Sequence, residues 1–569
     1  MACARKTPAV SQSSRPPPTR FSMRVPLRII LAAACLCLLA LMLSFAGVQA
    51  DEQAADTSPK PLVTISEATT SITQPLREDG YPDYIAALNQ AISAGVTNEN
   101  NAAIPMMQAF GPSMLLEAMQ EPFFTMLGID PLPADGTYLT SFDTFRDTSL
   151  AKPADVEKDA AADADERARL DEAYNQSLER PWSAEEFPLL AEWLRANEEP
   201  LRLITEATER PRYFAPLVAA DGTDDSAMVM SILLPVLQEL REASRLLKAR
   251  ALLRLHAGEL EAAWQDLFTC HRLGRLAAQD PTLIGALVGI AIDSVAITGD
   301  TFLAADPRLS EDLARRILTD LRTLGPAASI VEKLDTAERY MFLDSVCAVA
   351  GGRVGLSDLT GDGSDSSMGW LARLAASVLV DWNVSLRMGN TWYDRLVAAA
   401  KLPTHPERQA AFDEINRDTQ KMAAEVRDAK NALYGLFAPR TVISRQMGNV
   451  FVALLLPAVS AAMDAENRST TLTKLNELSF VLAAYRAKDG SYPKSLADLA
   501  IDDDSMPKDP FNDKDFHYVR NDDGYVIYSV GPNLRDDGGK VYYLDKDDDG
   551  RTVNKDQWDD FRIRVPPTQ

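Results

Sequence analysis

From Tyr81 to about Leu436, nearly every patterned stretch of the chain repeats its apolar residues at helical spacing, and this confines most of the fold to packed helices. Asp83–Ala94 carries Ile85, Leu88 and Ile92 on one face of an amphipathic helix. Ser183-Ala184-Glu185-Glu186 has the form of a capping box, expected to open a helix through Leu190, Trp193 and Leu194. Leu233, Val236, Leu237, Leu240, Leu247 and Ala251 form a stripe that ends near Gly258, and Leu260, Ala263, Trp264 and Leu267 form the next. Asp280-Pro281 is expected to start a third helix, with Asp as the cap and Pro in the first turn. Asp306-Pro307 and Ser310 prepare a fourth, through Leu313, Ile317 and Leu321.

Gly258-Glu259-Leu260-Glu261-Ala262-Ala263 resembles the close crossing of one tetratricopeptide-type hairpin, but no further copies follow at a fixed period. The expectation for 81–440 is therefore an irregular helical bundle or a short helical array. Two insertions interrupt it: an Ala/Asp/Glu-rich stretch near 150–178, read as an exposed helix or a flexible excursion, and a Gly/Ser-rich loop at 350–369.

The start of the chain has a different grammar. Residues 1–50 hold six bases and no acid, then an apolar run from Ile29 to Ala46, then Val48 and Ala50 at the small-residue positions before Asp51. This pattern is that of a secretory signal peptide cut after Ala50; if it is retained, 29–46 serves instead as a membrane anchor. A polar tether is expected over 51–80, broken by Pro59 and Pro61.

Charge narrows the classes of partner. The chain has 58 Lys and Arg against 82 Asp and Glu, a formal charge of −24. Without its first 50 residues, 52 bases face the same 82 acids and the charge becomes −30. Nucleic-acid backbones are poor partners for such a surface, because binding them needs a Lys/Arg surplus. Cys270 and Cys347 are the cysteines beyond the signal, and export leaves either a disulfide or two buried thiols open. No Gly-x-Ser-x-Gly elbow, His-Glu-x-x-His or phosphate-binding loop occurs. His256, His271, His405 and His517 are scattered and read as surface or satisfied core residues.

The last 125 residues change character. Met447–Met463 is almost uncharged, and an amphipathic helix continues it with Leu472, Leu475, Leu478, Val481, Leu482 and Tyr485. Then come Asp489-Gly490-Ser491-Tyr492-Pro493, Asp509-Pro510-Phe511, and a hairpin pattern in which Asn521–Gly524 joins Phe516–Arg520 to Tyr525–Ser529. Ser529-Val530-Gly531-Pro532-Asn533 and Asp536-Asp537-Gly538-Gly539 follow. In this order the motifs resemble those of type II secretion major pseudopilins and related pilin-like proteins. The resemblance covers about 445–569 and implies a long helix carrying a small antiparallel sheet. The segment around Met447 lacks the Glu that prepilins place early in their mature helix, so processing at that point is not expected. The whole chain thus reads as α+β, a large helical domain followed by a pilin-like one.

Asp545, Asp547, Asp549 and Asp556, with Gly550, have the spacing of a twelve-residue calcium loop, which supplies oxygen ligands to a hard cation. Asp stands at the twelfth position, and the flanks Val541–Leu544 and Phe561–Val565 look like strands, which sets this loop apart from an EF-hand. The pseudopilin resemblance also implies a structural calcium ion here, with Asp536 and Asp537 as further ligands. The expected function is that of an exported, non-enzymatic envelope protein, periplasmic or extracellular, with partners in a type II secretion-like apparatus. The alternative is an exported hydrolase or carbohydrate-binding protein with its site in the helical domain.

Overall fold

The computed structural model describes residues 60–151, 160–223, 227–232, 234–325, 329–354, 380–427, 440–499, 506–542, 545–546, 553 and 558–567. The signal segment, including 29–46, and most of the 350–369 loop lie outside the described residues, as do Asp547, Asp549 and Asp556. From Lys60 onward the chain forms one unit. It is mostly helical, with a three-stranded antiparallel sheet near its end, an α+β architecture.

Helix α1 (Tyr84–Ser93) begins where expected, the Ala86 amide donating to Asp83 Oδ1 at 2.9 Å. Two other starts differ. Ser183 caps only a turn, accepting from the Glu186 amide at 3.1 Å while the Glu186 carboxylate pairs with Arg180. Helix α2 then begins at Pro188 and runs to Ala196, with Pro at its first position. Likewise α5 (Leu283–Ala305) starts two residues later than Asp280-Pro281 suggested. Thr282 is its cap, taking the Gly285 amide at 3.0 Å, while Asp280 accepts from the Thr282 amide. At the first site Arg180 takes the Glu186 side chain, and at the second Thr282 takes the Asp280 carboxylate.

Between them lie α3 (Pro235–Ala257) and α4 (Leu260–Ala277), a hairpin closed by Gly258 at φ +84°. Only glycine takes that left-handed conformation without strain. Helix α6 (Glu311–Thr323) is capped by Ser310, and the 150–178 stretch contains a helix, Ala160–Glu179. The described part of the 51–80 segment lies against α7 (Trp382–Ala400), where Asn390 Nδ2 donates to the Ala68 and Thr69 carbonyls. Helix α8 (His405–Arg427) precedes α9, a single helix from Arg440 to Asp489.

At about 1.5 Å per residue, the 50 residues of α9 span roughly 75 Å. It touches α5, α6, α7 and α8 as well as the sheet. Near its end the two faces divide. Phe480, Ala483 and Ala484 complete the helical core around Trp264, Leu267 and Ile317, while Leu475, Leu478 and Leu482 pack under the sheet with Phe511, Tyr525 and Ile563.

The sheet runs β1 (His517–Arg520), β2 (Tyr525–Ser529), β3 (Phe561–Val565), in that order and antiparallel throughout. Its first hairpin has the expected register, Arg520 opposite Tyr525. Of the two strand-like flanks of the acidic loop, Phe561–Val565 is β3, whereas Val541 makes a single bridge to Asp559. Cys270 and Cys347 are separate, buried, free thiols in different clusters.

Candidate metal centre

The sequence motifs of the last hundred residues gather around the sheet, at both ends of β2. Asp509 is buried and accepts from the Phe511 amide (3.0 Å), the Ser529 hydroxyl (2.9 Å) and the Val530 amide (3.1 Å), which fixes the end of β2. Tyr492 stacks edge-on against Tyr525 at 4.8 Å and accepts from Arg486 at 2.8 Å. Gly531, at φ +62°, lets the chain pass so close to Asp559 that a Cβ there would lie 2.2 Å from its carbonyl oxygen. No larger residue fits this approach.

The loop after Gly531 and the approach to β3 bring Asp537, Asp559 and Asp560 together, with one carboxylate oxygen of each within 4.8 Å of the others. Backbone and amide donors orient them. Asp560 Oδ2 accepts from the Gly539 amide (2.8 Å) and the Asp537 amide (3.2 Å). Asp559 Oδ2 accepts from the Asn533 amide (2.9 Å), and Asp537 Oδ2 from Asn533 Nδ2 (3.1 Å). Asp560 is fully buried, and its Oδ1 has no hydrogen-bond partner. Burial, with the nearby Asp537 and Asp536 charges, pushes its carboxyl up to about 7 despite the Gly539 amide.

Such an arrangement is costly alone and suits a cation. Three hard oxygen donors and an unpartnered buried carboxylate oxygen are the chemistry a calcium ion satisfies, and a bound dication would hold Asp560 ionised.

The expected ligands divide. Asp537 belongs to the cluster. Asp536 sits beside it, its Oδ1 accepting from the Tyr528 hydroxyl (3.0 Å) and the Gly538 amide (2.9 Å). Asp545 is held by Arg562 at 2.7 Å and accepts from the Val541 amide at 2.7 Å, a clasp across the loop. Asp547, Asp549 and Asp556 fall outside the described residues. Asp559 and Asp560 escaped the sequence reading because they lie beyond the twelve-residue loop. The available signal was a pair of acids directly before the alternating Phe561–Val565 strand.

A second polar group lies in the helical core. His271 on α4 donates through Nδ1 to Asp293 (2.6 Å) and through Nε2 to Asp300 (2.8 Å), both on α5. Arg275 approaches Asp293 at 3.3 Å, the Thr473 hydroxyl donates to Asp293 at 3.4 Å, and Asn476 Nδ2 donates to Asp300 at 2.6 Å. Burial alone would lower the His271 pKa, but Asp300 and Asp293 outweigh it and raise it to about 9. His271, Asp293 and Asp300 are each 2% exposed or less, which makes the group a pin among α4, α5 and α9. By length and composition α5 is apolar enough to cross a membrane, yet most of it is buried in this core. Of the other histidines, His256 is exposed, His405 is buried against Phe511, and His517 stacks on Tyr528.

Comparison with family models, curated proteins and solved structures finds no match to the chain.

Proposed function

We propose that the chain is an exported, non-enzymatic protein of the cell envelope, with a pseudopilin-like C-terminal sheet organised by calcium and a helical body that meets protein partners. The convergence of Asp537, Asp559 and Asp560 around the unpartnered Asp560 oxygen carries the calcium part of this reading. Export rests on the basic and apolar pattern of residues 1–50, and the pseudopilin-like role on the motif order from Tyr485 to Gly539. Partners in a type II secretion-like apparatus follow from the same resemblance.

The test is thermal melting of the purified chain in calcium and then in chelator. A ligand that binds the native state alone raises its stability by mass action. A rise with calcium that is lost in Asp560→Ala supports the metal centre; an unchanged melt reduces the cluster to acidic surface. Fractionation with amino-terminal sequencing tests export: a chain beginning at Asp51 outside the cytoplasm is expected, and a cytoplasmic chain still carrying Met1 overturns it. Co-purification with secretion components tests the partner assignment.

A further inference from the structure

Beside the acidic cluster lies a cavity of about 450 Å³. One wall is α5, with Ile290 and Ser294, and another is one stretch of α9, with Asp464, Asn467, Arg468 and Ser469. Asp559, Asp560 and Phe561 close it from the sheet side. The cation reading and the cavity are separate observations that meet at the same two carboxylates, and the inference here rests on that reading.

Two arguments define what the cavity accepts. The first is coordination. Asp537, Asp559 and Asp560 offer one carboxylate oxygen each within 4.8 Å of the others, and the buried Asp560 Oδ1 has no hydrogen-bond partner. A calcium ion takes six to eight oxygens, so about three or more positions are left for oxygens from elsewhere. The cavity is where these oxygens enter.

The second argument is charge. The three carboxylates and Asp464 carry four negative charges, against a dication and Arg468, so the occupied site keeps a small negative balance. That balance disfavours carboxylates and phosphates and favours a neutral ligand with adjacent oxygens. The remaining lining fits such a ligand: Ser294, Asn467 and Ser469 offer hydroxyl and amide groups, and Phe561 offers an apolar face for C–H groups. The size is that of a small-molecule site.

The geometry points to a calcium-dependent saccharide site, in which a vicinal diol of a neutral sugar completes the coordination of the ion held by Asp537, Asp559 and Asp560. The sugar ring lies in the cavity between α5, α9 and the sheet, with Asn467 and Ser469 hydrogen-bonding its outer hydroxyls.

The experiment applies the purified chain to resins carrying mannose, galactose, fucose or N-acetylglucosamine, in calcium and in chelator, and titrates retained sugars as free methyl glycosides. The calcium-induced rise in melting temperature is measured on the same samples. Retention on at least one sugar, release by chelator and competition by the free methyl glycoside are expected. Asn467→Ala and Ser294→Trp, the second filling the cavity, each weaken the sugar at least tenfold while the calcium-induced rise persists. If calcium raises the melting temperature but no sugar is retained, or retention survives chelator, the saccharide inference falls and the metal centre stands. If calcium has no effect on melting, the metal centre falls and takes this inference with it.

Discussion

Gly274 and Gly289 face each other where α4 crosses α5, and a Cβ on either would lie 2.9 Å or 2.6 Å from the other's backbone oxygen. The crossing is this close because both positions lack a side chain, and it sets Asp293, one turn beyond Gly289, against His271.

Gly289→Ala is therefore expected to destabilise the body by about 1–3 kcal/mol, the usual range for forcing extra volume into a packed core. Denaturant unfolding checks this through a lower midpoint at unchanged slope. A wild-type midpoint would show that the helices separate easily and that the crossing does not depend on glycine.

The His271 pin gives stability a pH dependence with a definite sign. Its pKa rises from 6.5 to about 9 on folding, so protonation favours the folded state. The contribution is complete below pH 6.5 and is lost as pH rises through 9, amounting to roughly 3 kcal/mol at about 1.4 kcal/mol per unit. Unfolding free energy measured in calcium between pH 6 and 9.5 is expected to fall more steeply in wild type than in His271→Gln. Parallel curves would contradict the assignment.

Asp560→Asn separates the two states of the proposed metal centre. In chelator at pH 8 the substitution removes a buried, poorly compensated charge, and the chain is expected to gain about 1–3 kcal/mol, the scale for an unsatisfied buried polar atom. In calcium it is expected to lack the rise in stability proposed for wild type. Calorimetry in both buffers reads the two effects, and a loss of stability in chelator would mean that Asp560 serves packing alone.

Phe480 joins the end of α9 to the helical core, fully buried and 6.1 Å edge-on from Trp264. Phe480→Ala is expected to cost about 3–5 kcal/mol. Because α9 serves both cores, fluorescence of the core tryptophans and far-ultraviolet dichroism should shift together. A loss confined to the sheet, with the tryptophan signal unchanged, would show that the helical body holds without α9.

What the sequence revealed and what it hid follow from the range of each signal. The Leu475–Leu482 stripe and the Asn521–Gly524 hairpin are local patterns with a period, and both stand where expected. The helices expected to open at Ser183 and Asp280 begin later, where Arg180 holds the Glu186 carboxylate and Thr282 occupies Asp280. The acidic cluster joins Asp537 to Asp559 and Asp560 across more than twenty residues, a meeting held by the close approach at Gly531 and by the amides of Asn533 and Gly539. Asp293 and Asp300 were hidden differently: an apolar helix gives no hint that two acids within it face a histidine on its neighbour.

The contribution of Phe480, Ala483 and Ala484 to a core whose other members lie between Ala102 and Leu321 has a consequence in time. A ribosome must deliver almost five hundred residues before that core can close. Until then that core lacks its last three side chains, and their arrival is a long-range closure.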